Sequence, residues 1–344
     1  MHSLLSNNLT NLPFNSSANN EIEEGTVQTF AVTHDGLLSE PISNVSSGGA
    51  SPAYVSVLST EELAVFNYVG GNGRIIPLGS DAVTFDNSAK VITFPTPANV
   101  NQTSHPHEAV EYKGEVFVPD LGGDKVYRLT GGHGTYAITS EIPQPAGSGP
   151  RHIAFNGMSR HRNFMLSNLY IKSDGYLYTL HELASTLSSQ SVPSAPNGTV
   201  HGPVRTASIV PDNNIEGAVW QAAEILIPQT TPEYPTPYIY VSNRNTGTVD
   251  PEGKGDTIAI FEHVNKGKRD EALRLVKQFY TGLEQVRGLA VAESCEGGEK
   301  YLVAAAAAGT GGIAVFERTE GGKNLVEVAR NTEVPVRTSF AFLC

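Results

Sequence analysis

The chain has 344 residues, 39% of them hydrophobic, and a formal net charge of -12. That acidic balance excludes a sustained basic face for nucleic-acid phosphates, the one basic cluster at residues 266–269 being too short. No apolar run approaches the roughly 20 residues a membrane-spanning helix needs.

The 34 Gly and 21 Pro are dispersed along the chain rather than gathered in a tail, the distribution expected when many short strands need turns. Residues 1–19 show no strand pattern and read as an irregular N-terminal segment. NEIEEGTVQTFAV, from Asn20, reads as the second half of a repeat whose first half is missing. Five fuller repeats follow, each with an opening motif, an alternating run, a tight turn, an aromatic and β-branched strand, and a closing apolar strand. They begin with SPAYVSV at Ser51, HPHEAVEY at His105, GPRHIAF at Gly149, QAAEILI at Gln221 and VRGLAV at Val286. Between the fourth and fifth, RDEALRLVKQFY has helical spacing of apolar residues, but its place in the repeat assigns it to an outer strand. Residues 190–219, rich in Pro, Ser and Asn, read as an inserted loop. LVEVARNTEVPVRTSFAFLC, at the end, reads as the start of a further unit.

Repeat starts lie roughly 45 to 70 residues apart, close to propeller periods once loop insertions are allowed. The fold class is therefore all-β, a β-propeller of four-stranded antiparallel blades forming one domain over residues 1–344. Its closing blade is expected to be incomplete at the N-terminus.

Inner strands of a propeller deliver their leading residues to one central channel, so polar groups that open several repeats converge. His107 opens the second repeat, Arg151 and His152 the third, and Glu224 the fourth; Glu182 in LHEL and Arg244 in SNRN end neighbouring strands. His152 alternates away from Arg151 and reads as packing. Acid–base chemistry at a carbonyl of an anionic substrate needs a group to move a proton, a donor to polarise the carbonyl, and cations for the anion. His107 and Glu182 are the catalytic candidates, and Arg151, Arg244 and Glu224 the substrate-binding ones. The same arginines could instead be structural partners of Glu182 and Glu224. His105 and His107 stand two apart, yet no further ligand follows at a spacing that completes a metal site; neither a metal nor a cofactor is expected. PDLGGDK, with Asp120, Gly122 and Gly123, reads as a turn between strands rather than a phosphate loop.

The segments HPHEAV, VFVPDLGGDKV, GPRHIAF, LYTLHEL, AAEI and YVSNRNTGT resemble the lactonase family that includes 6-phosphogluconolactonases and fungal carboxymuconate cyclases. The resemblance covers about residues 20–344 and implies seven blades. In the cyclase branch a channel histidine, two arginines and a glutamate are implicated in catalysis, roles that fall here on His107, Arg151, Arg244 and Glu182. AAEI and SNRN look more like the sugar-lactonase branch, so the resemblance implies metal-independent hydrolysis of a sugar lactone, of the 6-phosphogluconate type. The alternatives are a lactone-forming 3-carboxy-cis,cis-muconate cyclase and a secreted propeller that binds a partner without catalysis. The expected partner is a small anionic lactone or carboxylate, not nucleic acid or membrane.

Cys295 and Cys344 alone give no disulfide framework. The first residues lack a basic region followed by an apolar run, so the expectation is a cytoplasmic protein. Sequons at Asn8, Asn15, Asn44, Asn101 and Asn197 would serve a secreted one.

Overall fold

A computed structural model describes residues 3–7, 13–19, 23–97, 103–157, 173–194, 205–212, 214–292, 297–334, 338–340 and 342. Among the described residues the regular structure is 24 β-strands and two short 3-10 turns, and no helix is long and apolar enough to cross a membrane. The strands form six four-stranded sheets, each a meander in which consecutive strands are neighbours. Short connections rich in left-handed glycines make this possible, since antiparallel neighbours need only tight turns.

The chain divides into two compact units, with the boundary between Arg151 and His152. The first holds three sheets. One joins β1 (Ser3–Asn7), β2 (Pro13–Asn19), β3 (Thr26–Ala31) and β4 (Ser43–Ser46); the next joins β5 (Pro52–Val57), β6 (Glu62–Asn67), β7 (Asn72–Pro77) and β8 (Ile92–Thr93). The third joins β9 (Val110–Tyr112), β10 (Glu115–Asp120), β11 (Lys125–Gly132) and β12 (Thr135–Pro143). Within the segment expected to be irregular, Ser3–Asn7 and Pro13–Asn19 are strands: β2 pairs with β3 from Phe14↔Ala31 to Asn19↔Thr26, and β1 pairs with β2. A backbone ladder laid on an existing strand does not require the alternation by which strands are read from sequence.

The second unit also holds three sheets. β13 (Pro150–Phe155), which begins at the boundary, joins β14 (Tyr176–His181), β15 (Thr186–Ser191) and β16 (Arg205–Ser208). β17 (Trp220–Leu226), β18 (Ile239–Asn245), β19 (Thr257–Val264) and β20 (Ala272–Tyr280) form the next, and β21 (Glu284–Val291), β22 (Tyr301–Ala308), β23 (Ile313–Thr319) and β24 (Asn324–Asn331) the last. The segment expected as a loop over 190–219 therefore contains β16, paired to β15 from Thr186↔Ser208 to Ser189↔Arg205. RDEALRLVKQFY is a strand, as its place in the repeat requires.

Middle strands are apolar on both faces because sheets stack on either side of them. Ile239 and Val241 of β18 pack with Tyr178, Leu180 and Phe261, while Tyr240 between them packs with Ile258, Val286 and Phe316. In the first unit Ala64 and Phe66 of β6 pack with Val116 and Val118, and Leu63 and Val65 with Val27 and Val55. Period-two alternation thus supplies two separate cores from one strand.

Register breaks recur at the same place in several sheets. The first strand bulges between Pro52 and Tyr54, between Ala222 and Ile225, and between Val286 and Gly288. Such extra residues bend a strand and re-aim its side chains.

Candidate active site

The second unit brings Glu182 and Arg244 together. Glu182 follows β14 directly, at the start of a tight turn that ends on Ser185, whose backbone is left-handed (φ 48°). Ser185 Oγ donates to Trp220 O (2.7 Å), fixing that turn to the start of β17. Arg244 lies near the end of β18 with an asparagine on each side. Asn243 Nδ2 donates to Ile209 O (2.6 Å) and Thr257 Oγ1 (3.0 Å). Asn245 Oδ1 accepts the N–H groups of Val219 (2.9 Å) and Gly247 (3.0 Å), and its Nδ2 donates to Thr248 O (2.6 Å). The SNRN motif therefore holds its arginine between two pinned residues.

From there Arg244 Nη2 reaches Glu182 Oε1 at 2.8 Å and donates to Ala222 O at 3.1 Å, while Ala222 N–H donates to Glu182 O at 3.3 Å. One residue of β17 thus bridges the backbone of the acid to the guanidinium of the base.

The bulge that follows Ala222 sets Ala223 and Glu224 against the single residue Ser242. Glu224 N–H donates to Ser242 Oγ (3.0 Å), and its carboxylate lies 2.9 Å from His152 Nδ1. The pairing joins the first strands of two sheets. It gives His152, which alternation assigned to packing, a carboxylate that fixes ring orientation and favours the proton on Nδ1. The sequence signal was the repeat itself, since His152 in PRHIAF and Glu224 in AAEI occupy matching positions.

Two neighbouring groups have shifted protonation. Burial pushes His181, beside Glu182, down to about 4, so it is neutral at pH 7. Burial pushes the Asp256 carboxyl up to about 6 against two backbone N–H bonds that lower it. Arg287 on β21 is another residue sequence reasoning passed over. It is the half-buried extra residue of its bulge, and it stands in VRGLAV where Arg151 stands in PRHIAF.

His107 and Arg151 belong to the first unit, where both are buried at 2% exposure. His107 N–H donates to Pro119 O (3.0 Å) and its ring meets Tyr68 edge-on, with centroids 5.9 Å apart. His105 stacks on the same Tyr68 (4.3 Å) and its Nδ1 lies 2.6 Å from Tyr68 O. Among the described residues no group of three or more His, Cys, Asp or Glu side chains is placed to hold a metal ion. PDLGGDK makes the expected turn: Asp120 Oδ1 accepts the N–H groups of His105, Gly122 and Gly123, and a Cβ at Gly122 would stand 1.7 Å from Thr103 O. Cys295 and Cys344 lie outside the described residues.

A curated relative, an uncharacterized protein of Staphylococcus epidermidis, is 26% identical over 306 residues, 87% of this chain and 77% of its own length. Among solved structures, a Lactobacillus plantarum protein superposes with a TM-score of 0.73 at 20% identity, over 98% of this chain and 86% of its own. A putative 6-phosphogluconolactonase of Bacteroides fragilis gives 0.72 at 20% identity, over 98% and 85%. The periplasmic gluconolactonase of Pseudomonas aeruginosa gives 0.72 at 18% identity, over 97% and 86%. At these identities the structural likeness speaks to fold. A family model described as a lactonase, seven-bladed β-propeller matches residues 14–342, and the chain belongs to that lactonase family.

Proposed function

We propose that this protein is an enzyme that hydrolyses a sugar lactone, with Glu182 as the proton acceptor and Arg244 as the electrophilic donor. The observation that carries this reading is the 2.8 Å pairing of Arg244 with Glu182, in which the carboxylate side chain keeps 12% exposure. The pair is dry enough to strengthen its electrostatics, yet open enough for a small molecule to reach.

Hydrolysis needs both groups. Glu182 takes a proton from water as the water oxygen bonds to the lactone carbonyl carbon, and Arg244 N–H groups stabilise the negative charge growing on the carbonyl oxygen. The ring carbon–oxygen bond then breaks, the ring oxygen takes up a proton, and an open hydroxy acid leaves. His152, oriented by Glu224, is placed to support this end of β17, and an arginine's planar fork suits the carboxylate or phosphate of an anionic sugar acid. Gluconolactone and its 6-phosphate are the substrates to try first, because solved structural neighbours carry those activities in their names.

The test is hydrolysis of glucono-δ-lactone and 6-phosphoglucono-δ-lactone above the spontaneous rate, followed by acid release. Glu182→Gln should lower kcat on the order of 10²- to 10⁴-fold, the usual worth of a positioned base. Arg244→Ala should both raise KM and lower kcat, cutting kcat/KM on the order of 10²- to 10³-fold, as a donor to the anionic substrate and to the growing oxyanion is lost. Rates no faster than spontaneous hydrolysis, or full turnover by Glu182→Gln, would overturn the reading.

A further inference from the structure

The carboxylate of Asp256 joins two strand ends from different sheets. Its Oδ2 accepts the backbone N–H of Asn245 (2.8 Å), the residue after Arg244, and that of Gln285 (2.6 Å), two residues before Arg287. Gln285 has a left-handed backbone (φ 52°), a conformation that costs a non-glycine residue and persists where surroundings hold it. The Asp256 backbone is itself held: its N–H donates to Leu283 O (2.7 Å), and its carbonyl accepts from Thr281 N (3.0 Å) and Thr281 Oγ1 (2.8 Å). At 5% exposure this is a buried carboxylate serving two peptide groups.

We infer that Asp256 is a positioning residue for the active site, clamping the Arg244 end of β18 to the start of β21 and releasing that clamp when its carboxylate is protonated. The inference rests on the lactone-hydrolase reading of Arg244. A carboxylate accepts N–H bonds roughly twice as strongly as a neutral carbonyl, so charge on Asp256 sets how firmly Asn245 and Gln285 are held. The charged groups acting on it are Arg244 on β18, which favours the ionised form, and Glu284 at the start of β21, which opposes it. Lys254, two residues earlier, is bonded to Glu252 at 2.5 Å. Burial outweighs the bonds and brings the carboxyl to about 6, within the range over which an enzyme assay is run.

Two readouts test this on the full chain. The backbone amide signals of Asn245 and Gln285 should move together with a midpoint near pH 6 in the wild type and stay still in Asp256→Asn. For the hydrolysed lactone, KM should rise roughly threefold to tenfold on the acid side of the same midpoint, the scale of weakening two charge-assisted bonds. In Asp256→Asn, KM should stay at its acid-side value at every pH. Thr281→Ala loosens the same loop without touching a titrating group, so it should retain the limb near pH 6. Amides that do not titrate, or a KM limb that survives in Asp256→Asn, would overturn the inference. Titrating amides in a protein that hydrolyses no lactone would sink the hydrolase reading and leave the clamp, whereas hydrolysis with silent amides would do the reverse.

Discussion

Arg244 Nη2 stands 2.8 Å from Glu182 Oε1, with both side chains almost removed from water at 7% and 12% exposure. A buried ion pair is worth little net against a well-packed apolar pair, but removing one partner strands the other charge. Arg244→Met alone should therefore destabilise the protein by about 3–5 kcal/mol, and Arg244→Met with Glu182→Gln by clearly less. Urea unfolding of the four proteins in the cycle measures this. A loss in the double variant equal to the sum of the two single losses would show that the pair is not coupled.

Asp256 makes a separate prediction for stability. Burial lifts its folded carboxyl to about 6, above the ordinary aspartate range, so between about pH 4 and 6 the folded protein holds a proton there that the unfolded chain has lost. The contribution of this group to stability is greatest below about pH 4 and declines as pH rises through 6. Asp256→Asn removes that dependence. Relative to wild type, it should gain on the order of 2–3 kcal/mol between pH 4 and pH 8, as read by chemical denaturation at both pH values; no change in the difference would refute it.

A second buried network predicts acid sensitivity. His263 Nε2 lies 2.7 Å from Glu271 Oε1, and its Nδ1 lies 2.8 Å from the Tyr178 hydroxyl, itself 2.9 Å from Asp174 Oδ2. Burial chiefly holds His263 below its ordinary value, whereas bonds to His263 and Tyr176 hold Glu271 below its own despite burial. Both shifts act in one direction. The unfolded chain binds protons that the folded protein refuses, so stability falls as pH drops below about 6.5 for the histidine and below about 4.5 for the glutamate. Glu271→Ala should cost roughly 1.5–3 kcal/mol at pH 7, the worth of a charged hydrogen bond; because Glu271 raises the His263 value, the variant should lose the limb below about 4.5 and show a deeper one below about 6.5 in a melting-temperature profile. An unchanged profile would place the acid sensitivity elsewhere.

What the sequence by itself determined is the strand repeat. Period-two alternation and Gly-rich turns mark β5 to β7, β10, β11 and β17 to β23 because a residue's face on a pleated strand is decided within two or three neighbours. Position in the repeat, not local periodicity, placed RDEALRLVKQFY in a strand against its helical spacing, and it singled out Glu182 and Arg244 as ends of matching elements. Tertiary structure alone decided what depends on distant partners. β1, β2 and β16 carry little alternation of their own and are strands through the ladders that neighbours offer them. The bulge after Ala222 resets the face on which Glu224 emerges, which is how it comes to meet His152, 72 positions away in the chain. Asp256 lies in no motif at all. Its importance comes from one carboxylate oxygen shared by Asn245 and Gln285, a relation between backbone groups that no side-chain pattern records.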